Sequence, residues 1–357
     1  MELRSWNLIL AILAVTAACD DSNRPSPVES PPVDAPVMFD TAPSACAPPC
    51  LATGVFQGIA VAIAVRDGFV YISDNHAKDH ENGFLGSVYA VAPDGRATML
   101  AADQHGPRPL IVDATSVYWA NEGWTLATAP YYRNDPAIMK AARTGGPAVV
   151  IASQADATAP PARSLRIDGD KLYFTTFYAH DSVNRVSVTG GAIEMLARDD
   201  YAPDHPRVSA TALALHGDDI YWTNSDGAVI KMAKTGGGLT QLVDPVGVSA
   251  NSIAIYDQSI YFVAARLNGS TIIQDLVKMP LQGGPPVTLV ANISSGYGAP
   301  IFLEGNDIYF VNSTQVYRVS SAGGTPVKVL SDTNDYAVDE QYIYWAGSNG
   351  TVYRKAR

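Results

Sequence analysis

From residue 58 to the C-terminus, short apolar runs alternate with polar, glycine-bearing turns, and the alternation repeats. The stretch DDIYWTNSDGAVIKMAKTGG at 218–237 shows one period: two apolar runs, a polar turn, a lysine among hydrophobes and a glycine pair. Aligned on its tyrosine, the chain has Tyr71, Tyr118, Tyr173, Tyr221, Tyr261, Tyr309 and Tyr344, in the contexts VYIS, VYWA, LYFT, IYWT, IYFV, IYFV and IYWA. Two hydrophobes stand eight and six residues ahead of each tyrosine, from Ile63 and Val65 in the first period to Tyr336 and Val338 in the last. A period of two is that of a β-strand. The turn formers between the runs, such as RDG, DGD and HGDD, predict a tight hairpin at the start of every unit.

A third run carries a basic residue in register: Lys140, Arg185, Lys231, Lys278, Arg318 and Arg354, with Ala90 standing there in the first unit. Five residues on comes a glycine (Gly95, Gly145, Gly190, Gly236, Gly283, Gly323), followed by a second glycine in all but the first unit, as a turn of positive φ requires. A fourth run closes each unit. Four strands repeated seven times predict an all-β fold, a single seven-bladed β-propeller of four-stranded antiparallel blades. The seventh unit ends after its third strand, so the segment Leu51 to Gln57 is expected to supply the missing outer strand and close the ring.

The first fifty residues have a different composition. Residues 1–18 read as a secretory signal: Arg4, an apolar core from Leu8 to Val15, then Thr16, Ala17 and Ala18 before Cys19. The run VTAAC resembles a bacterial lipobox, with Thr16 in place of the usual leucine or valine; the resemblance implies that Cys19 is lipidated and becomes the mature N-terminus. Residues 19–50 are rich in proline, serine and small residues and form an extended tether ahead of the propeller at 51–357. Cys46 and Cys50 are read as a disulfide in an oxidising envelope, against two free thiols; their spacing is not that of a redox CxxC.

The offsets from aromatic pair to basic residue to glycine resemble YWTD repeats, the low-density-lipoprotein-receptor class B type, over residues 58–357, and especially their bacterial envelope relatives. The receptor type has six blades, and Asn224 stands where the aspartate of YWTD would be. The repeated aromatic and basic residues are read as structural, filling space between blades and pairing with a neighbouring blade or a carbonyl. Function is therefore sought where the repeat is broken.

In an up-and-down blade the turns from strand one to two and from three to four share one face, and all other connections share the opposite one. On that second face the spacing from tyrosine to basic position is 9 or 10 residues in blades 4, 6 and 7 but 19, 22 and 17 in blades 1, 2 and 5. Such insertions are either ligand-binding loops or surface decoration. The candidate ligand-binding residues lie there: Trp124, Tyr131, Tyr132 and Arg133 on the blade 2 insertion, Arg108 and Arg163 at the entries of adjacent inner strands, and His180, His205 and Arg207 on neighbouring loops. Tyrosine, tryptophan and arginine are the usual anchors of binding surfaces. The four arginines form a positive sector suited to a carboxylate or phosphate, unless each pairs with an aspartate such as Asp113, Asp199 or Asp200, and the aromatics either meet a ligand or fold the loop onto its own blade.

His76, His80 and Glu81, with Asp74 near, have zinc- or copper-binding side chains, but no HxH or HExxH element fixes them; they are read as solvated loop residues, and no metal or cofactor is assigned. A net charge of −11 disfavours nucleic acid. No nucleophile elbow, phosphate loop or metalloprotease motif is present. The expected function is a lipid-anchored, monomeric, non-catalytic propeller binding an envelope protein, peptide or glycan. The alternatives are a lyase or hydrolase using His and Glu on the same face, by analogy with streptogramin lyase, whose catalytic set has no residue-by-residue match here, and a structural scaffold of an envelope assembly.

Overall fold

The computed structural model describes residues 49–56, 58–78, 84–125, 132–133, 136–153, 162–176, 181–199, 207–244, 249–268, 271–294, 300–331, 333, 335–347 and 350–357. Residues 1–48, with the segment read as a secretory signal and Cys19, lie outside the described residues; those described form the propeller.

Seven four-stranded antiparallel blades follow one another along the chain. Their inner strands begin the units at Ile59–Arg66, Pro107–Val112, Ala162–Asp168, Ala210–His216, Ser249–Tyr256, Phe302–Glu304 and Tyr336–Val338. Blades 1 to 6 are built from consecutive strands; blade 7 has three from the C-terminus, and its outermost strand is Cys50–Ala52, antiparallel to Val352–Ala356. The ring is thus closed by the N-terminal strand, as expected, though this strand starts one residue earlier and ends sooner than the expected Leu51–Gln57. Beyond it the chain continues along the blade, with Val55 N–H donating to Gly350 O at 2.9 Å, and Leu51, Ala52, Val55 and Phe56 are buried. Gln57 lies outside the described residues. Cys50 is disulfide-bonded; Cys46 lies outside the described residues.

The strand period of two explains how blades pack. The repeated tyrosine and the residue after it point to opposite faces of the second strand, so one meets the following blade and the other the preceding one. Tyr118 packs with Leu165, Leu172 and Phe174 of blade 3, whereas Trp119 packs with Val88 and Leu100 of blade 1. Tyr221 and Trp222 divide in the same way between blades 5 and 3. Each junction holds its own apolar cluster, including that between blades 7 and 1, where Tyr344 and Val352 meet Ile63, Val70 and Ile72.

In blades 2, 3, 5 and 7 the basic residue of the third strand latches the next blade, whereas Lys231 and Arg318 pair with Asp219 and Asp307 of their own blades. Lys140 Nζ donates to Val188 O at 3.1 Å, Arg185 Nη1 to Lys234 O at 2.6 Å, Lys278 Nζ to Ser321 O at 3.1 Å, and Arg354 Nη1 to Pro93 O at 3.1 Å. Every acceptor lies in or beside the turn between strands three and four of the next blade, and the last bond spans the closure of the ring. Those turns use the glycine pairs at positive φ, as at Gly190 (94°) and Gly191 (128°), where a side chain would be strained.

The insertions keep strand pairing. In blade 2 Trp124–Thr125 pairs with Tyr132–Arg133 as a small ribbon. In blade 5 the insertion lengthens the second and third strands into Ser259–Asn268 and Thr271–Pro280, paired to the Asn268–Thr271 step. In blade 1 Ala77–Lys78 pairs with the third strand. There the backbones approach so closely that a Cβ on Gly86 would stand 1.8 Å from Asp74 O, and one on Gly58 1.9 Å from Asn75 O.

Candidate functional site

On the variable-loop face, the connection from blade 3 to blade 4 assembles a polar cluster. Asp181 precedes the third strand of blade 3, Asp199 follows its fourth strand, and Arg207 and Ser209 lead into the inner strand of blade 4. Asp199 N–H donates to Asp181 O at 2.9 Å, which sets the two acids side by side. Blade 4 holds the other wall: Trp222 Nε1 donates to Val208 O at 2.9 Å, Asn224 Nδ2 to Arg207 O at 3.0 Å, and Ser225 N–H to Ser209 O at 3.1 Å. Asn224 Oδ1 in turn accepts the N–H groups of Asp226 and Ala228 at 3.2 and 2.8 Å. An aspartate there could accept but not donate, which explains why asparagine occupies the position. Ser209 is held at φ of 22°, outside the ordinary regions for its type.

The Arg207 guanidinium lies against Asp199, with Nε 2.8 Å from Oδ2 and 3.1 Å from Oδ1, and the Asp199 side chain is buried. Ser209 Oγ lies 2.8 Å from Asp181 Oδ2 and 3.0 Å from Asp199 Oδ2. A hydroxyl has one proton to donate, so it cannot satisfy two ionised carboxylates at once. Ser209 Oγ can donate to either acid but to one at a time, with Asp181 Oδ2 at the shorter distance. Burial pushes the Asp181 carboxyl above the usual carboxylate range and the Asp199 charge adds to this, opposed by the Ser209 hydrogen bond and the charges of Arg207 and Arg163. The cluster therefore presents a carboxyl with a raised pKa, a hydroxyl, a carboxylate fixed by Arg207 and two guanidinium groups.

The other sequence-derived candidates fall into two groups. Arg108 is exposed and bidentate to Glu122, Nε to Oε1 at 2.9 Å and Nη2 to Oε2 at 3.0 Å. Its partner is Glu122 rather than Asp113, which instead accepts the Thr115 and Ser116 N–H groups and the Tyr118 hydroxyl. Arg108 and Arg163 share a structural position, each within the register shift at the start of its inner strand. Arg108 and Arg207 both face carboxylates, so this part of the positive sector is charge-balanced. Trp124, Tyr132 and Arg133 lie on the blade 2 ribbon, with Arg133 directly across from Trp124; their side chains, with Tyr131, His180 and His205, lie outside what the structure describes.

Asp181 and Ser209 lie on the same connections as the candidates His180, His205 and Arg207 but carry no motif of their own, so they were not singled out; Asp199 was visible only as a possible arginine partner. In blade 1 the buried Asp74 carboxylate accepts the Ser87 N–H at 2.8 Å and the Gly58 N–H at 3.3 Å, and lies 3.2 Å from His76 Nδ1. Among the described residues no group of three or more His, Cys, Asp or Glu is arranged for a metal; His80 and Glu81 lie outside them.

No protein-family model matches the chain, and no curated protein matches it. Solved structures match in fold. A computationally designed protein, Ika8, is similar over 85% of this chain and 98% of its own, at a TM-score of 0.53 and 11% identity. The extracellular domain assigned to a hybrid two-component system of B. thetaiotaomicron is similar over 84% of this chain and 38% of its own, at a TM-score of 0.58 and 13% identity. At these identities the likeness is one of fold.

Proposed function

We propose that this protein is a lipid-anchored, non-catalytic β-propeller of the bacterial cell envelope that binds a protein, peptide or glycan through its variable-loop face. The propeller is a scaffold that can present such a face, and the observation supporting the reading is the cluster of Asp181, Asp199, Arg207 and Ser209 with Arg163 beside it. Arg207 is paired with Asp199, and Ser209 bridges the two acids, which favours ligands offering hydroxyl and amide groups over a bare polyanion. The anchor rests on VTAAC and Cys19, and kinship with envelope YWTD-type propellers on the aromatic, basic and glycine offsets.

A binding screen of envelope glycans and peptides against the folded propeller tests this reading. Retained folding with lost binding in Arg207→Ala, or in the triple variant Trp124→Ala, Tyr131→Ala, Arg133→Ala, is the expected result. Undiminished binding in both, or loss on changing His216 of the tight-turn face, would overturn it. Mass spectrometry of the native protein tests the anchor: acyl mass on Cys19 is expected, and an unmodified N-terminus rejects it.

A second reading, a lyase or hydrolase, draws on Asp181, whose burial raises its carboxyl above the usual carboxylate range beside a serine hydroxyl, the direction that general-acid work needs. Turnover lost in Asp181→Asn while binding persists would favour it.

A further inference from the structure

At its loop-face end the second strand of blade 1 closes with three polar residues, Ser73, Asp74 and Asn75, where blade 5 has Val263, Ala264 and Ala265 at the same register. Tyr71 and Val88 of blade 1 pack with Val112, Val117 and Trp119 of blade 2. Ser73 is paired with Val88 and shares that face, and the period of two puts Asn75 on it as well. A Cβ on Gly86, two residues before Val88, would stand 3.0 Å from Pro107 Cδ, so this end of blade 1 abuts the start of the inner strand of blade 2.

Across this junction the two blades meet through neutral groups. Trp119 Nε1 lies 3.1 Å from both Gln104 Oε1 and Asn121 Oδ1, and Asn121 Nδ2 donates to Gln104 Oε1 at 3.1 Å. Arg108, next to Pro107, is bidentate to Glu122 and adds no uncompensated charge. Ile59, 69% exposed, is paired directly beside Asn75. Ser73 Oγ and Asn75 Oδ1, both buried, have no hydrogen-bond partner among the described residues. Such a hydroxyl can be satisfied within the fold: at the same register in blade 4, Thr223 Oγ1 lies 2.9 Å from Thr211 Oγ1, but Val61 stands where Thr211 does. Thr175 Oγ1 holds this register in blade 3 and is also without a partner. Blade 1 differs in placing two such atoms on one face of one strand, about 7 Å apart by the strand rise, beside the amide cluster. Their unpaired burial costs free energy that a ligand bearing hydroxyl groups recovers.

We propose that the loop-face mouth of the blade 1–blade 2 junction is a subsite for an uncharged sugar residue of a glycan. A sugar hydroxyl both donates and accepts, so one group can donate to Asn75 Oδ1 and accept from Ser73 Oγ, which a peptide N–H cannot do. No hydrogen bond among the described residues fixes the Asn75 carbonyl group, so it can turn to admit a hydroxyl to Ser73 beneath it. Ile59 gives the C–H face of the ring an apolar surface to pack on. The inference rests on the loop face being the binding face and narrows its ligand to a glycan; it uses no residue of the blade 3–blade 4 cluster.

The test is an array of neutral oligosaccharides of hexoses and N-acetylhexosamines, with uronic-acid oligosaccharides and short peptides as comparisons, followed by calorimetry of the best neutral binder on the folded propeller. Neutral oligosaccharides should be retained over both comparisons. Ser73→Ala and Asn75→Ala should each weaken binding about threefold to tenfold, the value of one hydrogen bond. Both variants should fold, because Ala120 and Ala265 stand at those registers in blades 2 and 5. Ser73→Ala should leave the thermal midpoint of the free protein unchanged or raise it, whereas removing a hydroxyl bonded within the fold would lower it. Retention of peptides or uronic-acid oligosaccharides alone, no retention at all, full binding in both variants, or a lowered midpoint in Ser73→Ala would overturn the proposal. Binding that survives both variants but is lost in Arg207→Ala would overturn this subsite and leave the loop-face reading standing.

Discussion

Arg143 Nε donates to the Tyr71 hydroxyl at 2.7 Å, reaching from blade 2 into blade 1. Blade 1 has Ala90 where blades 2, 3, 5 and 7 carry a latching lysine or arginine, and Arg143, three residues past the equivalent Lys140, secures the junction from the opposite side. It also pairs with Asp67 at 2.8 Å and lies over the Phe69 and Tyr71 rings. Arg143→Ala should lower stability by about 1–3 kcal/mol in urea unfolding. Arg96→Ala, which removes an exposed pair with Asp94 within one turn, should change it by less than about 0.5 kcal/mol. Equal effects would show that the junction does not rely on Arg143.

Ring closure should depend on the N-terminal strand. Phe56 and Leu51 are buried against blades 7 and 1, so Phe56→Ala should cost about 3–5 kcal/mol. Removing residues 49–56 should expose the edge of Val352–Ala356 and broaden the thermal transition. An unchanged midpoint in the truncated form would mean that closure is made without this strand.

Asn224→Asp would retain the acceptors for the Asp226 and Ala228 N–H groups but place a carboxylate oxygen against the Arg207 carbonyl. A loss of about 1–3 kcal/mol at neutral pH is expected. It should shrink in acid, where a protonated aspartate can donate; chemical denaturation at two pH values reads the difference.

Ser209 separates two acids, so Ser209→Ala should be the costlier change in the cluster, at roughly 1–3 kcal/mol. Asp181→Asn should cost less, since its amide oxygen still accepts the Ser209 hydroxyl and the burial penalty on the carboxyl charge is removed. If the order of these two is reversed, the Asp181 charge stabilises the cluster more than the Ser209 hydroxyl does.

Asp335, ahead of the inner strand of blade 7, gives a pH prediction. Burial pushes its carboxyl from the ordinary 3.8 to about 7, opposed by a hydrogen bond from the Tyr336 N–H. The folded protein then keeps a proton that the unfolded chain loses, so this group's contribution to stability falls as pH rises from about 4 to about 7 and is level above. Tyr336, buried beside it, has a pKa well above its ordinary value and does not titrate in that window. Asp335→Asn should raise the melting temperature by about a few degrees at pH 7 and not at pH 4; equal shifts at both would place the carboxyl pKa elsewhere.

The sequence alone determined the seven blades, their strand order, the closing role of the N-terminal segment and the glycine turns. These follow from local rules: a period of two, turn chemistry and a repeated basic position recur with every unit, and repetition makes a weak local signal legible. Tertiary structure alone decided which groups meet between blades. Asp181 and Ser209 are separated by 28 residues, and only the side-by-side placement of blades 3 and 4 puts one hydroxyl between two carboxylates. Arg108 was legible as a loop-face cation, but its Glu122 partner depended on how the strand entry bends.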